Sequence, residues 1–454
     1  MLDELTAWLE QTGAPGVSVA IDDGREIRCF NRGVADLRTR TPVTVETAFQ
    51  LGSVSKVITA FVLLEILADK GLSVDTPVVE LAPDLEASNE RAFHDITVRH
   101  LLSHASGLDS QWWVDLGRGD CARRQAARAI AATPLIARPG ELFSYSGPAF
   151  VLAGYLVDLL AGTCWEETVR DTVARYLGEH SISARPEDIL LQPSATGYRK
   201  PAEPGGAPLA ATRWYAPLAL SPGGGLVATA LDLARLMKPV RRRLGLEPLH
   251  SDGQLTRTIG WRYEGWGMGM ARYRLADGSL AWGHDGTTSG QACAVRLADG
   301  GPETVVVSTN AVWAASQAGQ LAESMLTGLR NGTGRATIKR RRDALEAYGA
   351  WRLPANAELS GRYLRLNSTI LVRPASTNEL VVDEISSPQD EANWFGQKTP
   401  HGAASLSDMF RKVGAHSYMS ATREFHFLRH PDDPARQYIH NGMRASVKAY
   451  RPWM

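Results

Sequence analysis

Ser53 and Lys56 stand three residues apart at the start of a long apolar run, and together these two residue types can do chemistry. If a helix begins near Ser53, residues i and i+3 share one face, so the Lys56 amine lies over the Ser53 hydroxyl. A serine hydroxyl is a poor nucleophile until a neighbouring base takes its proton. The spacing therefore predicts a nucleophile beside a proton acceptor.

The residues after this pair, from Val57 to Leu64, are almost all apolar. That is too many for one surface stripe, so we expect a central buried helix that keeps the pair away from bulk water. Burial favours the neutral form of lysine, and the helix N-terminus offers main-chain N–H groups to an acyl oxyanion. A chain of this composition contains about one such serine–lysine spacing by chance, so the motif needs support from other elements.

Length and composition describe an ordinary globular protein that is long enough for two domains. The 454 residues carry a formal net charge of +0, with 44% hydrophobic and 22% charged residues. This balance gives no reason to expect a nucleic acid or a membrane surface as a partner. No run reaches about 18 uninterrupted apolar residues, so no transmembrane helix is predicted. The N-terminal segment lacks the features of a signal peptide, which predicts a cytoplasmic protein.

The sequence predicts neither a metal nor another cofactor. His100 and His104 stand at i,i+4, but the glutamate of a zinc-binding H-E-x-x-H helix is absent, so structural roles are expected for both. The cysteines are far apart, without the C-x-x-C pair of a zinc or redox site, and reduced thiols are expected: Cys29, Cys121, Cys164 and Cys293.

Turn residues and periodicity predict a β-hairpin before the Ser53 helix and several helices and strands after it. A first helix ends at Gly13, and the turn Asp22-Asp23-Gly24 joins strands over residues 17–21 and 26–30. Further helices are expected at about 122–131, 149–160, 230–237 and 314–329, and further strands at 292–297 and 304–310.

Two loops lie between these elements. Residues 139–147 form a turn-rich segment that displays Tyr145. Residues 221–226 are glycine-rich but lack the Gly-Lys-Ser/Thr ending of a phosphate-binding loop, so a tight backbone turn near a site is expected there.

The composition changes after residues 331–334 and the basic run 339–342, which is interpreted as a solvated linker. Short segments with a period of two then follow at close spacing, which predicts a small antiparallel barrel or sandwich. These segments are 361–366, 369–373, 379–385, 424–428 and 446–450. We therefore expect two domains, residues 1–334 and residues 335–454.

Three separated motifs resemble those of the serine β-lactamase and penicillin-binding protein superfamily. They are Ser53-Val54-Ser55-Lys56, Tyr145-Ser146-Gly147 and His284-Asp285-Gly286, in the order and rough spacing of that superfamily. Within it, roughly residues 5 to 330 are similar to the branch of class C β-lactamases, D-aminopeptidases and esterases. The resemblance implies an α/β fold, with a β-lactamase-like sheet flanked by helices, and an acyl-enzyme on Ser53.

The same resemblance implies roles for individual residues. Lys56 would activate Ser53, and Tyr145 would act as base and then as acid toward the leaving group. Which of the two takes the serine proton stays open, since the base of the superfamily is itself disputed. His284 would act in catalysis at the position of the lysine in the K-T-G motif. The oxyanion hole would use the N–H groups of Ser53 and Thr287, and the implied substrate-binding residues are Gly147, Asp285, Gly286 and Trp214.

Two departures from the superfamily pattern bear on the substrate. Gly147 stands where an asparagine is common, and that asparagine usually contacts the substrate amide and the catalytic lysine. His284 in place of lysine removes a permanent cation that would bind a free carboxylate. Both departures favour an ester, thioester or amide substrate without a free C-terminus.

The chain most resembles the stand-alone penicillin-binding-type thioesterases of nonribosomal peptide pathways, which add a C-terminal lipocalin-like barrel. The resemblance implies a peptidyl thioester or ester substrate with a D-configured C-terminal residue, head-to-tail macrolactamisation through acyl-Ser53, and a peptidyl carrier protein as a further partner. The alternative is a hydrolase of small esters or of D-amino-acid amides and peptides. A non-catalytic binding module is a third hypothesis, which the intact Ser53, Lys56 and Tyr145 disfavour.

Overall fold

The structure is a computed structural model, and it describes residues 1–85, 91–110, 116–119, 121–201, 206–212, 216–246, 263–331, 361–364, 368–376, 379–386, 405–412, 417–419, 424–429, 437–440 and 443–448. Trp214, a predicted substrate contact, lies outside these residues, as do the predicted domain boundary and the basic run 339–342. The helices in the described part are α1 (Leu2–Thr12), α2 (Ser55–Asp69), α3 (Val78–Leu81), α4 (Val98–Leu102), α5 (Ala122–Ala131), α6 (Gly147–Ala161), α7 (Trp165–Leu177), α8 (Pro186–Leu190), α9 (Ala230–Arg243) and α10 (Ala315–Asn331).

The strands before residue 332 are β1 (Gly16–Asp22), β2 (Ile27–Asp36), β3 (Thr41–Pro42), β4 (Phe49–Gln50), β5 (Tyr198–Arg199), β6 (Leu209–Ala210), β7 (Val227–Ala228), β8 (Gly265–Trp266), β9 (Ala271–Arg274), β10 (Leu280–Thr287), β11 (Ala292–Ala298) and β12 (Thr304–Thr309). The predicted N-terminal hairpin is present as β1 and β2. The predicted helices correspond to α5, α6, α9 and α10, with ends that differ by a few residues.

An eight-stranded antiparallel sheet forms the centre of this part of the chain. Its order is β3-β2-β1-β12-β11-β10-β9-β8. Strand β1, near the start of the chain, therefore pairs with β12, the last strand of this sheet along the chain. In that pair Val17 lies opposite Thr309. Helices pack against the sheet, which confirms the α/β fold with a helix-flanked sheet.

Helix α2 is the buried centre of the helical layer. Every residue from Ser55 to Leu67 is buried, and the helix packs against α6, α7 and α9. Its apolar side chains join the largest cluster of buried residues in the described part of the chain. The sequence-based expectation of a central buried helix is confirmed, because no face of α2 meets bulk water along this length.

His100 has the structural role that the sequence predicts. Its backbone N–H donates to Thr97 Oγ1 at 3.3 Å, and its Nδ1 accepts from the Thr97 N–H at 3.2 Å. These two bonds form a capping box that closes the N-terminus of α4.

Eight short strands follow in the C-terminal part: β13 (Gly361–Leu364), β14 (Ser368–Ser376), β15 (Glu379–Ser386), β16 (Ser405–Lys412), β17 (Ser417–Met419), β18 (Glu424–Arg429), β19 (Gln437–His440) and β20 (Ala445–Lys448). Each pairs with the next, and β20 pairs with β13, so the hydrogen-bonded order is a closed ring. The five predicted segments overlap strands. The sequence missed β16, β17 and β19, which are short or lack a clean alternation of apolar and polar residues.

No single helix among the described residues is long and apolar enough to cross a membrane. Taken together, helices α6 and α7 have the length and apolar composition of a membrane span, but the two helices meet at a bend of 75°.

Candidate active site

The Ser53 and Lys56 side chains meet at the N-terminal end of α2. A 3-10 turn, Gly52–Val54, carries Ser53 and runs into α2 at Ser55, so the regular helix begins two residues later than Ser53. Residues i and i+3 are also neighbours in a 3-10 turn. Lys56 Nζ donates to Ser53 Oγ at 3.2 Å and to the carbonyl oxygen of Gly223 at 2.5 Å. The predicted contact between the Lys56 amine and the Ser53 hydroxyl is therefore present.

The Lys56 amine is almost entirely removed from water, with 3% of the residue exposed. Its nitrogen lies 5.1 Å from the ring centre of Tyr145 and 5.6 Å from that of Phe150. Burial, with a smaller contribution from the positive charge of Arg444, lowers the pKa of Lys56 to about 7. A large share of this amine is therefore neutral near pH 7 and able to accept a proton.

Tyr145 lies in the loop just before α6, whose N-cap is Ser146. Burial raises the pKa of Tyr145 well above its usual range, and the Ser53 hydroxyl and the Arg444 charge offset this only in part. Within the described residues, Tyr145 Oη is buried and makes no hydrogen bond of good geometry. The phenol is therefore protonated at neutral pH, in the form that can give a proton to a leaving group.

His284 lies on β10 and turns its ring toward the same aromatic surroundings. The ring centres of Tyr145 and Trp266 lie 6.0 and 5.4 Å away. Its Nδ1 is 2.7 Å from the carbonyl oxygen of Asp285, and because a carbonyl only accepts, Nδ1 carries the proton. Burial, followed by the charge of Lys56, lowers the pKa of His284 to about 3. The ring is therefore neutral, with a lone pair on the buried Nε2.

The end of β10 passes very close to the turn that carries Ser53. A Cβ atom added at Gly286 would lie 1.9 Å from the Leu51 carbonyl oxygen and 2.9 Å from the Ser53 nitrogen. A Cβ atom added at Gly52, whose φ is +51°, would lie 2.6 Å from the Thr287 nitrogen. Only glycine allows this approach, and the approach brings the backbone of Ser53 and Thr287 together, as an oxyanion hole built from their N–H groups requires.

Asp285 makes an ion pair with the buried Arg296 on the other face of β10, because successive strand residues point to opposite faces. Its Oδ1 accepts from Arg296 Nη1 at 2.7 Å, and Arg296 Nη2 also donates to Glu323 of α10 at 2.9 Å. Arg296 is fully buried. The carboxylate of Asp285 therefore anchors β10 to β11 and α10, and its substrate contact stays a prediction.

The sequence model of the family described as "Beta-lactamase" matches residues 3–326, well over half of the chain. The chain belongs to the beta-lactamase family. The chain is therefore a serine hydrolase or acyltransferase, as homologues named as a hydrolase and an esterase also indicate.

Three curated relatives carry different names. Penicillin-binding protein 4 of Amycolatopsis lactamdurans is 28% identical over 65% of this chain and 81% of its own length. An unguisins hydrolase of Aspergillus campestris is 31% identical over 40% of this chain and 35% of its own length. Esterase EstB of Burkholderia gladioli is 30% identical over 56% of this chain and 76% of its own length.

Two solved structures of SurE share the fold over almost the whole chain. One superposes with a TM-score of 0.75 at 21% identity and covers 99% of this chain and 98% of that one. The other, SurE with D-Leu, has a TM-score of 0.71 at 22% identity, with the same coverage. At such identity the likeness concerns the fold alone.

Gly147 stands where an asparagine is usual in this beta-lactamase-family motif. Among the described atoms, a Cβ atom added there would have the Ser110 carbonyl oxygen as its neighbour, at an ordinary contact distance of 3.8 Å. The second polar contact of Lys56 comes instead from the Gly223 carbonyl, at the end of the 3-10 turn Leu218–Gly223. The glycine-rich segment 221–226, for which the sequence predicts a tight backbone turn near a site, therefore contacts Lys56 directly through Gly223.

Sequence reasoning missed the C-terminal residues beside Tyr145. The guanidinium carbon of Arg444 lies 5.7 Å from the centre of the Tyr145 ring, and the Tyr145 N–H donates to the Met443 carbonyl at 2.7 Å. His440 Nε2 lies 2.9 Å from the Phe143 carbonyl oxygen. No sequence motif links these positions, because the contacts depend on how the C-terminal strands approach the loop before α6.

Within the described residues, no group of three or more histidine, cysteine, aspartate or glutamate side chains could hold a metal ion.

We expect Gly286→Ala to reduce acyl transfer strongly, because the new methyl group meets the Leu51 carbonyl and pushes β10 away from Ser53. Loss of one oxyanion donor costs about 10²–10³-fold in kcat. The measurement is kcat/KM with a thioester substrate, after circular dichroism has shown that the variant folds. Gly328→Ala is the control, since no described atom lies within 4 Å of an added Cβ there. Parental activity in Gly286→Ala would contradict the assignment.

Lys56→Met should make the protein more stable while abolishing turnover. The pKa of Lys56 is about 7 in the folded protein and about 10.4 in the unfolded chain. Between pH 7 and about pH 10.4 the unfolded chain therefore binds more protons than the folded protein. The gain in unfolding free energy is then largest below pH 7, on the order of 4 kcal/mol, and shrinks toward pH 10. Urea unfolding at pH 6, 8 and 10 measures it. Lys70→Met, at the exposed end of the same helix, should retain the parental pH dependence, and a gain independent of pH would refute the explanation.

Proposed function

We propose that this chain is an acyl-transfer enzyme that takes a peptidyl thioester or ester onto Ser53 and releases the peptide as a head-to-tail macrolactam. The observation that carries the proposal is the buried Lys56 amine, 3.2 Å from Ser53 Oγ and with a pKa lowered to about 7. Tyr145, held protonated by burial, lies beside it.

In the proposed acylation step, Ser53 Oγ attacks the thioester carbonyl and its proton passes to neutral Lys56. The new C–O bond forms first and gives a tetrahedral intermediate. The C–S bond then breaks, and the proton held by Lys56 passes through Tyr145 to the sulfur of the leaving thiol. The backbone N–H groups of Ser53 and Thr287 stabilise the oxyanion. Lys56, which is partly neutral near pH 7, suits the base, and Tyr145, which stays protonated, suits the relay of that proton to the leaving group.

In the proposed release step, the amine at the other end of the same peptide attacks the acyl carbonyl. The C–N bond forms, the ester C–O bond to Ser53 breaks, and the proton lost by the amine returns to Ser53 Oγ through Lys56. A well-oriented intramolecular amine reaches an effective concentration of about 10⁵ M or more, which lets ring closure outrun hydrolysis. His284 is neutral and presents a lone pair instead of a cation, which suits a substrate without a free carboxylate.

The proposal extends to the configuration of the substrate, the domains and the partner. SurE, whose fold this chain shares, has been crystallised with D-Leu, which supports a D-configured C-terminal residue. The family match ends at residue 326, and the ring of strands begins at Gly361, which supports a catalytic domain over 1–334 and a lipocalin-like barrel over 335–454. A peptidyl carrier protein is the proposed donor of the thioester.

A hydrolase is the second candidate, and the names of two relatives favour it. One is an unguisins hydrolase and another is an esterase. The same residues would act, and the two candidates differ only in whether water or an amine attacks acyl-Ser53.

A peptidyl thioester with a free N-terminal amine and a D-configured C-terminal residue should give mainly the macrocycle. Its N-acetylated twin has no attacking amine, so it should give slow hydrolysis or a stalled adduct on Ser53. Mass spectrometry separates the cyclic product, the linear acid and the adduct. The L-configured epimer and the Ser53→Ala variant are the controls. Linear acid from both twins at similar rates would favour the hydrolase.

The acylation rate should rise with pH and level off above a midpoint near pH 7, because the neutral amine of Lys56 accepts the serine proton. The measurement is kcat/KM against pH, which reports the free enzyme. Arg444→Gln removes a positive charge that lowers the pKa of Lys56, so its midpoint should move to higher pH, while Arg444→Lys should keep the parental midpoint. A rate that falls above pH 7 would show that the ammonium is the working form.

A further inference from the structure

Three successive backbone N–H groups around Tyr145 are all bonded to groups from distant parts of the chain. The Ser144 N–H donates to the His104 carbonyl at 2.9 Å, and the Tyr145 N–H donates to the Met443 carbonyl at 2.7 Å. The Ser146 N–H donates to His104 Nδ1 at 3.0 Å. His104 therefore holds the residues on both sides of Tyr145, once with its backbone and once with its ring.

The ring of His104 also packs directly on the Tyr145 ring. The two ring centres are 4.2 Å apart with 35° between the planes, and Trp266 closes the cluster at 5.1 Å from His104. Only 1% of His104 is exposed. The side chain therefore fixes both the backbone and the ring orientation of Tyr145.

His104 adopts a backbone conformation that few residues other than glycine tolerate. Its φ is 57°, and among the described residues other than glycine it shares a positive φ only with Arg40. Such a conformation persists where the surrounding structure demands it, and it is often found at functional sites. Here it allows the carbonyl and Nδ1 of one residue to accept from Ser144 and Ser146.

The bond from Ser146 also fixes the tautomer of His104. Because Nδ1 accepts, the proton of the neutral ring is on Nε2. Burial, followed by the charge of Lys56, holds the pKa of His104 well below its usual value, so the Nδ1 lone pair stays available. The contact between His104 and Ser146 is therefore permanent at working pH.

The Tyr145 hydroxyl makes no hydrogen bond of good geometry within the described residues, and at the tip of the side chain it interacts with the Ser53 hydroxyl. Its position depends on the backbone clamp and on ring packing. We propose that His104 is a positioning residue for Tyr145, setting the phenol at the distance from Ser53 and Lys56 that proton transfer needs. This inference rests on the proposed function, because it presumes that Tyr145 moves a proton.

The test compares His104→Asn with His104→Ala in the full chain. Asparagine tolerates a positive φ and offers a side-chain oxygen to the Ser146 N–H, but lacks the ring. Alanine removes both the ring and the side-chain acceptor for the Ser146 N–H. We expect the rate of Ser53 acylation to fall about 10²-fold or more in His104→Ala, with KM little changed and with partial recovery in His104→Asn. Adduct mass against time, kcat and KM are measured with a peptidyl thioester, and melting temperature checks folding.

His100→Asn is the matched control. That histidine also accepts a backbone N–H through Nδ1, but from Thr97 in the capping box. The variant should lose thermal stability while its acylation rate stays within a few-fold of the parent.

A double variant separates positioning of Tyr145 from a general loss of structure. In Tyr145→Phe the phenol is gone, so His104→Asn should cause no further loss of rate. A further loss of the same size as in the parent would overturn the proposal, as would a folded His104→Ala with the parental rate. If the parent itself forms no adduct on Ser53, the proposed function fails instead, so the two failures are distinguishable.

Discussion

The removal of one amine from water is the constraint on which the rest of this site depends. Lys56 is on the most deeply buried helix described in the chain, and its nitrogen meets the rings of Tyr145 and Phe150. Water would favour the ammonium form, and burial favours the neutral one. The Gly223 carbonyl and the Ser53 hydroxyl then fix where the nitrogen points. The burial that forms the hydrophobic core therefore also produces the neutral amine on which the proposed chemistry depends.

The remaining parts of the site can be understood as support for that amine. Strand β10 approaches the turn before α2 so closely that glycine is needed on both sides, at Gly52 and Gly286. The buried Arg296 joins the same strand to α10 through Asp285 and Glu323. Each support acts on the backbone, and backbone placement is what an oxyanion hole requires.

The sequence predicted contacts between residues that are close in the chain. It did not predict contacts between distant residues that the tertiary fold brings together. The contact between Ser53 and Lys56 follows from a spacing of three residues, and the burial of α2 follows from its apolar content. The carbonyl groups of Gly223 and Met443 could not be found, because every residue has a carbonyl and the sequence does not mark those that will face a side chain. The absence of the H-E-x-x-H glutamate predicted structural roles for His100 and His104, but not that His104 contacts Tyr145.

The order of strands in the sheet has a consequence for synthesis and folding. Strand β1 lies between β2, its neighbour in the chain, and β12, which pairs Val17 with Thr309. During synthesis the β12 edge of β1 stays unpaired until almost the whole family domain has been made, and unpaired edges promote aggregation. Sheets built from such long-range pairs also fold slowly. A nascent chain of this protein therefore passes through a long interval in which Ser53 has been made but Thr287, its proposed partner in the oxyanion hole, has not.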